Sequence, residues 1–120
     1  IHKFHFQLMA DLMKKLEAVP EGDGSMLDNT VIVYLSDAAE AHHSRCGQWP
    51  FVLIPGKNTG LQGGRYLDFP HYMQDGHREI GNLYTTLLHA AGENREYFGV
   101  RDAMLKGAAR GDGPLAALLA

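Results

Sequence analysis

The chain has 120 residues, enough for one domain with a hydrophobic core, and its apolar (45%) and charged (21%) fractions are ordinary for a globular protein. The formal net charge of −3 argues against a nucleic-acid-binding protein, and no apolar run approaches the length of a membrane span. The single cysteine excludes an internal disulfide framework.

Residues 1–19 predict an amphipathic helix, because apolar residues recur at steps of three and four from Ile1 to Leu16. No Ser, Thr, Asp or Asn is available as an N-cap, so we expect the chain to be a piece of a longer protein. Any signal peptide would then lie upstream. His2 and His5 share one face of this helix, either as a surface pair or against the absent part of the chain.

Two short runs predict strands with both faces covered, because their residues are β-branched or apolar at consecutive positions. These runs are "TVIVYL" at residues 30–35 and "FVLIPG" at residues 51–56. The 15 residues between them are too many for a tight hairpin, and long connections of this kind are often functional. A short edge strand is expected over residues 65–69.

Residues 77–92 predict a second helix with an apolar stripe, an N-cap at Asp75 and a C-terminal cap at Gly92. Residues 93–120 are expected to form a tail that packs loosely or lies over the body. The order of helix, strand, polar loop, strand, glycine-rich stretch and helix favours an α/β fold, with short buried strands flanked by helices.

Asp37 follows the first predicted strand directly, at the carboxyl end where ligands gather in open α/β sheets. It is either a metal ligand or a turn-forming residue that accepts backbone N–H bonds. His42 and His43 come five and six residues later, and both reach one ion only if the loop bends. They are otherwise solvated. Arg45 is either a contact for an anionic substrate or an exposed loop residue.

The remaining candidates are weaker. Glu40 either completes an oxygen and nitrogen ligand set or is solvated, and Cys46 is interpreted as a half-buried thiol because it has neither a redox partner nor zinc spacing. His71 and His77 lie before or at the start of the second helix, where a neutral metal-bound imidazole avoids the unfavourable helix dipole. His89, within that helix, is interpreted as structural.

Several strings, taken in order, resemble the C-terminal part of a family of secreted bacterial proteins of unknown function, named for an HXXSHH motif. These strings are "LEAVPEGDGSMLDNTVIVYLSD", "WPFVLIPG" with the following "GLQGGRYLDF", "NLYTTLLHAAGENREYFG" and "GDGPLAALLA". They cover nearly the whole chain. The family itself resembles the alkaline phosphatase and sulfatase superfamily.

The resemblance implies an α/β/α sandwich, export from the cell and metal-assisted hydrolysis of phosphate or sulfate esters. A strand of this type ends in an Asp-His metal pair in the superfamily. Here Asp37 is followed by Ala38, so His42 or His43 would supply the imidazole. A later histidine is also typical, and His77 or His71 matches it. The HXXSHH string and the nucleophile would lie upstream.

Two functions of different classes remain open. The first is a metal-dependent hydrolase acting on a small anionic ester, with zinc or another divalent ion held by Asp37, His42 or His43, and His77. The second is a non-catalytic exported binding or scaffold protein, which Ala38 favours. A weaker third interpretation makes residues 37–46 a partner-binding surface with Trp49 and Tyr66 as aromatic anchors.

Overall fold

A computed structural model describes residues 2–36 and 48–120. Within these residues the chain is a mixed α/β structure with two α-helices and two small antiparallel sheets. Three short 3-10 turns connect or follow them, at Met26–Asn29, Gly107–Ala109 and Ala116–Leu118. The helices and strands are α1 (His2–Glu17), β1 (Pro20–Glu21), β2 (Gly24–Ser25), β3 (Val31–Leu35), β4 (Phe51–Pro55) and α2 (Ile80–Ala90).

Helix α1 has one half-buried face, which agrees only in part with the predicted apolar stripe. Met9, Met13 and Leu16 are half-buried, whereas Phe4 and Leu8 of the predicted stripe are exposed. The helix packs on the 3-10 turn at Met26–Asn29.

Strands β3 and β4 pair antiparallel, with Leu35 opposite Phe51 at one end and Val31 opposite Pro55 at the other. The sequence predicts buried strands, but the residues of both strands are half-buried, and Val52 is exposed. One face of the pair packs against the core through Val31, Phe51 and Leu53. Since successive side chains alternate, Tyr34 lies on the opposite face, which α1 covers.

Helix α2 begins at Ile80, three residues later than predicted, and its N-cap is Glu79 rather than Asp75. The chain cannot start the helix earlier because it turns first: Gly76 has a φ of 84°, and the His77 N–H donates to the Gln74 carbonyl at 3.1 Å. The Glu79 N–H is satisfied by Oδ1 of Asn82 at 2.8 Å, which marks the true beginning of the helix.

The hydrophobic core gathers four leucines from three distant parts of the sequence: Leu61, Leu83, Leu115 and Leu118. The final segment is therefore part of the core, and not a loosely packed tail. A β-bridge joins Leu61 to Leu119, and the Gln62 N–H donates to the Leu118 carbonyl at 2.8 Å. The edge strand expected at residues 65–69 does not form, because the chain pairs at this bridge instead.

Candidate functional site

A cleft of about 520 Å³ lies between β4, the glycine-rich stretch, the start of α2 and the C-terminal segment. Its walls are partly apolar, from Phe51, Leu67, Ile80, Leu115 and Leu118, and its polar lining includes His71, His77, Arg78, Glu79, Asp68 and Arg65. An apolar cavity with a few converging polar groups is the usual form of a small-molecule site.

His77 is the most constrained polar side chain in this cleft. Only 9% of its surface is exposed, and its Nδ1 lies 2.9 Å from the carbonyl oxygen of Pro70. A carbonyl oxygen only accepts, so Nδ1 carries the proton and Nε2 of the neutral ring keeps its lone pair. Nε2 has no hydrogen-bond partner among the described residues. The ring is thus held in the tautomer that leaves one basic nitrogen available.

The turn that carries His77 is held by its own backbone. Gln74 N–H donates to the His71 carbonyl at 3.0 Å, and Gly76 N–H donates to the Ala108 carbonyl at 3.0 Å. Met73 adopts a φ of 69°, an unusual conformation for a residue with a side chain that costs about 1–2 kcal/mol. Met73 lies between His71 and His77 in the sequence. A residue in this unfavourable backbone conformation persists only where the surrounding structure holds it there.

Tyr72 and Asp102 lie beside the His77 ring. Tyr72 meets that ring edge-on at 5.6 Å between centroids, and its hydroxyl donates to Oδ2 of Asp102 at 2.5 Å. This hydrogen bond, the largest cause in both cases, lowers the pKa of Asp102 and raises the pKa of Tyr72. Asp102 therefore stays ionised at neutral pH and favours positive charge, or a cation, near His77.

The described residues that flank the 37–47 segment lie at the same cleft. Trp49 donates from Nε1 to the Ser36 carbonyl at 2.8 Å, and Nε2 of Gln48 lies 3.2 Å from Nδ1 of His71. Both Gln48 and Trp49 line the cleft. Because β4 runs antiparallel to β3, the chain re-enters the sheet at the end where it left, and the residues before and after the segment lie near each other.

Four of the predicted site residues lie outside the described residues: Asp37, His42, His43 and Arg45. The same holds for Glu40 and Cys46. Of the remaining histidines, His71 and His77 line one cleft, while His89 bonds the Arg95 carbonyl through Nε2 at 2.7 Å. The structural interpretation of His89 is consistent with that bond, and the metal-binding role of Asp37, His42, His43 and His77 stays a prediction.

A buried polar face on α2 was not among the predictions from the sequence. Asn82, Thr85 and Thr86 have no exposed surface. Asn82 donates from Nδ2 to the carbonyls of Gly111 and Gly113 at 2.9 and 2.8 Å. The Thr86 hydroxyl accepts the Leu115 N–H at 2.7 Å. These bonds hold residues 111–115 against α2, and Leu115 of this segment forms part of the cleft wall. Their i, i+3, i+4 spacing is the one signal that the sequence offered.

Tyr97 anchors the start of α2 from outside the cleft. Its hydroxyl donates to Oε2 of Glu79 at 3.0 Å, and the Arg101 guanidinium lies 4.8 Å from its ring centroid. Arg101 also forms ion pairs with Glu96 and Asp112. Burial, followed by the hydrogen bond to Glu79, raises the pKa of Tyr97 to about 12.

This shift predicts a loss of stability at alkaline pH. Between an ordinary pKa of 10 and the folded value of about 12, the unfolded state releases the Tyr97 proton while the folded state retains it, so the free energy of unfolding falls as pH rises. Tyr97→Phe lacks this titration. Urea unfolding from neutral pH to pH 12 should therefore show a shallower alkaline decline for the variant, and parallel declines would contradict the assignment.

Within residues 2–36 and 48–120, no three His, Cys, Asp or Glu side chains converge to hold a metal ion. No helix in the same part of the chain has the length and apolar character needed to cross a membrane. Comparison of the chain with protein-family models, with curated proteins and with solved structures found no match.

Proposed function

We propose that the chain is part of a metal-dependent hydrolase of phosphate or sulfate esters, with the fold of the alkaline phosphatase and sulfatase superfamily. In this proposal the protein belongs to the HXXSHH family and is exported, and its nucleophile lies outside these 120 residues. The described residues form a mixed α/β structure, which agrees with the α/β class of the proposed fold.

The orientation of His77 carries the proposal. Metal-binding histidines almost always donate their second ring N–H to a carboxylate, a backbone carbonyl or water, which fixes the tautomer and makes the other nitrogen a better ligand. His77 has this arrangement with the Pro70 carbonyl, inside a cleft large enough for a small ester. A histidine that only filled the core would not need an unpartnered Nε2 at a cavity wall.

The donor atoms of the proposed ligand set suit a zinc ion. Nε2 of His77 would be one ligand, and Asp37 with His42 or His43 would complete a mixed carboxylate and imidazole set. In support of this set, the carbonyl of Ser36, the residue before Asp37, accepts the hydrogen bond from Trp49, which lines the cleft. A bound zinc ion would supply Lewis-acid polarisation of the ester.

The other residues of the cleft have roles that follow from their positions. The Pro70 carbonyl orients the His77 ring, and Asp102 adds negative charge that favours a cation nearby. The apolar wall, which includes Phe51, would contact the apolar part of an ester. Arg45 would contact the anionic part of the ester.

Replacing His77 by glutamine is expected to weaken zinc binding by at least roughly 10- to 100-fold, because the fixed imidazole ligand is lost. Zinc titration of the purified protein measures the affinity, and elemental analysis measures the amount that remains bound. His89→Gln is the matched control, since it removes a histidine of the neighbouring helix whose Nε2 is already bonded to the Arg95 carbonyl. Equal zinc affinity in the two variants would remove His77 from the site.

Ala38 is the residue that favours the non-catalytic alternative, because it stands where the superfamily pattern has a metal-binding histidine. The two functions differ in one measurement. The longer protein should hydrolyse an aryl phosphate or aryl sulfate, and a chelator should abolish that turnover. Zinc bound at His77 without turnover would instead indicate an exported binding protein that retains the fold.

A further inference from the structure

We propose a second metal site, separate from the cleft, formed by His2, His5 and Tyr34. It would take a first-row transition metal ion, with Cu²⁺ bound more tightly than Zn²⁺. Nothing in the proposed hydrolase requires this site, and it lies on the opposite face of the β3–β4 pair.

Two imidazole nitrogens converge on one phenolic oxygen at this position. Nδ1 of His2 lies 3.3 Å from the Tyr34 hydroxyl, and Nδ1 of His5 lies 3.0 Å from it. The two histidines are three residues apart on α1, which places both on one helix face, and Tyr34 comes from β3. Two imidazole nitrogens from α1 are thus brought within hydrogen-bond distance of one oxygen from β3.

The spacing of these atoms matches a coordination sphere. With metal–ligand bonds of about 2.0–2.1 Å, neighbouring ligand atoms of a tetrahedral site lie about 3.3 Å apart. Both nitrogen–oxygen distances are close to that value, so an ion can bind between these atoms with little movement of the side chains. On binding, the Tyr34 hydroxyl releases its proton to solvent and the phenolate oxygen becomes the ligand. The Tyr34 hydroxyl has one proton and cannot donate to both rings at once.

The surroundings hold the donors without competing for the metal. The Tyr34 ring lies 5.9 Å from the His5 ring and 5.5 Å from the Phe6 ring, so His5 and Tyr34 are packed together on the half-buried side of α1. His2 is exposed, which leaves an entrance for an ion. Imidazole nitrogens with one oxygen suit copper, nickel and zinc, and copper binds tightest in this series. Calcium and magnesium, which require more oxygen ligands, are not expected to bind.

Copper titration tests the site. It is done in an Asp37→Ala, His43→Ala, His77→Gln background, so that failure here is independent of the hydrolase proposal. We expect one Cu²⁺ per chain, with an affinity that falls at least roughly 10-fold in His5→Ala. We also expect a phenolate-to-copper charge-transfer absorption band that disappears in Tyr34→Phe. His89→Gln is the control and should match the background protein in both readouts.

Three results would overturn the proposal. The first is no copper binding in the background protein. The second is binding that survives both His5→Ala and Tyr34→Phe unchanged. The third is a charge-transfer band that persists without Tyr34. Tyr34→Phe keeps the aromatic contacts, and circular dichroism of each variant verifies that α1 is intact.

Discussion

Replacing Asn82 by alanine is expected to lower the free energy of unfolding by about 3–4 kcal/mol, because the change leaves three buried or half-buried backbone groups without partners. These are the carbonyls of Gly111 and Gly113 and the N–H of Glu79. The side chain has no exposed surface, so water cannot replace the lost bonds without opening the structure. Urea unfolding followed by circular dichroism measures the change.

Asn29→Ala is the matched control for this prediction. Asn29 is also hydrogen-bonded through its side chain, to Glu21 at 2.7 Å and Asn58 at 3.0 Å, but it is exposed. Its loss should cost no more than about 0.5 kcal/mol, because water satisfies the groups that remain. Similar losses of stability in the two variants would show that the Asn82 amide does not hold residues 111–113 against α2.

Replacing Gly56 by alanine is expected to cost about 2–3 kcal/mol, because the new methyl group has no room. Its Cβ would overlap the carbonyl oxygens of Leu27 and Asp28 and lie 2.6 Å from the carbonyl carbon of Asp28. All of these atoms are backbone, so no flexible side chain can move aside. The Gly56 N–H bond to the Thr30 carbonyl, 2.8 Å long, would lengthen as the end of β4 moved away. Thermal unfolding measures the loss.

Gly63→Ala provides the comparison, since it adds the same methyl group on the same side of the protein. Its Cβ would meet only the Pro55 side chain, at 3.2 and 3.3 Å, and a shift of a few tenths of an ångström removes the overlap. We expect a loss below about 1 kcal/mol. A Gly56→Ala variant as stable as Gly63→Ala would show that the 3-10 turn and β4 are not in firm contact.

The sequence predicted the elements better than the contacts between them. The strands around Val31 and Phe51 and the apolar stripe of α2, including Leu83 at 1% exposure, follow from local pattern alone. Asn82 does not, because a polar residue in a helix is expected at the surface unless its partners are known. Those partners lie 29 and 31 residues further along the chain.

The start of α2 shows how local signals can conflict. Asp75 is a good N-cap by residue type, but Gly76 in the left-handed region and the hydrogen bond from His77 to Gln74 make a turn there instead. For the candidate site, the sequence pointed to His77 from its place before a helix. The bond that orients it comes from Pro70, seven residues earlier, and no spacing rule identifies that carbonyl as the acceptor.

Pairing between residues 60–65 and 117–120 makes the cleft a late product of folding. Bonds from Gln62 and Arg65 span 57 and 52 positions of the chain, and contacts of such long range are slow to form because chain entropy must be lost first. Helix α2, built from local contacts, precedes them. We therefore expect the cleft around His77 to form late in folding, after α2 has formed.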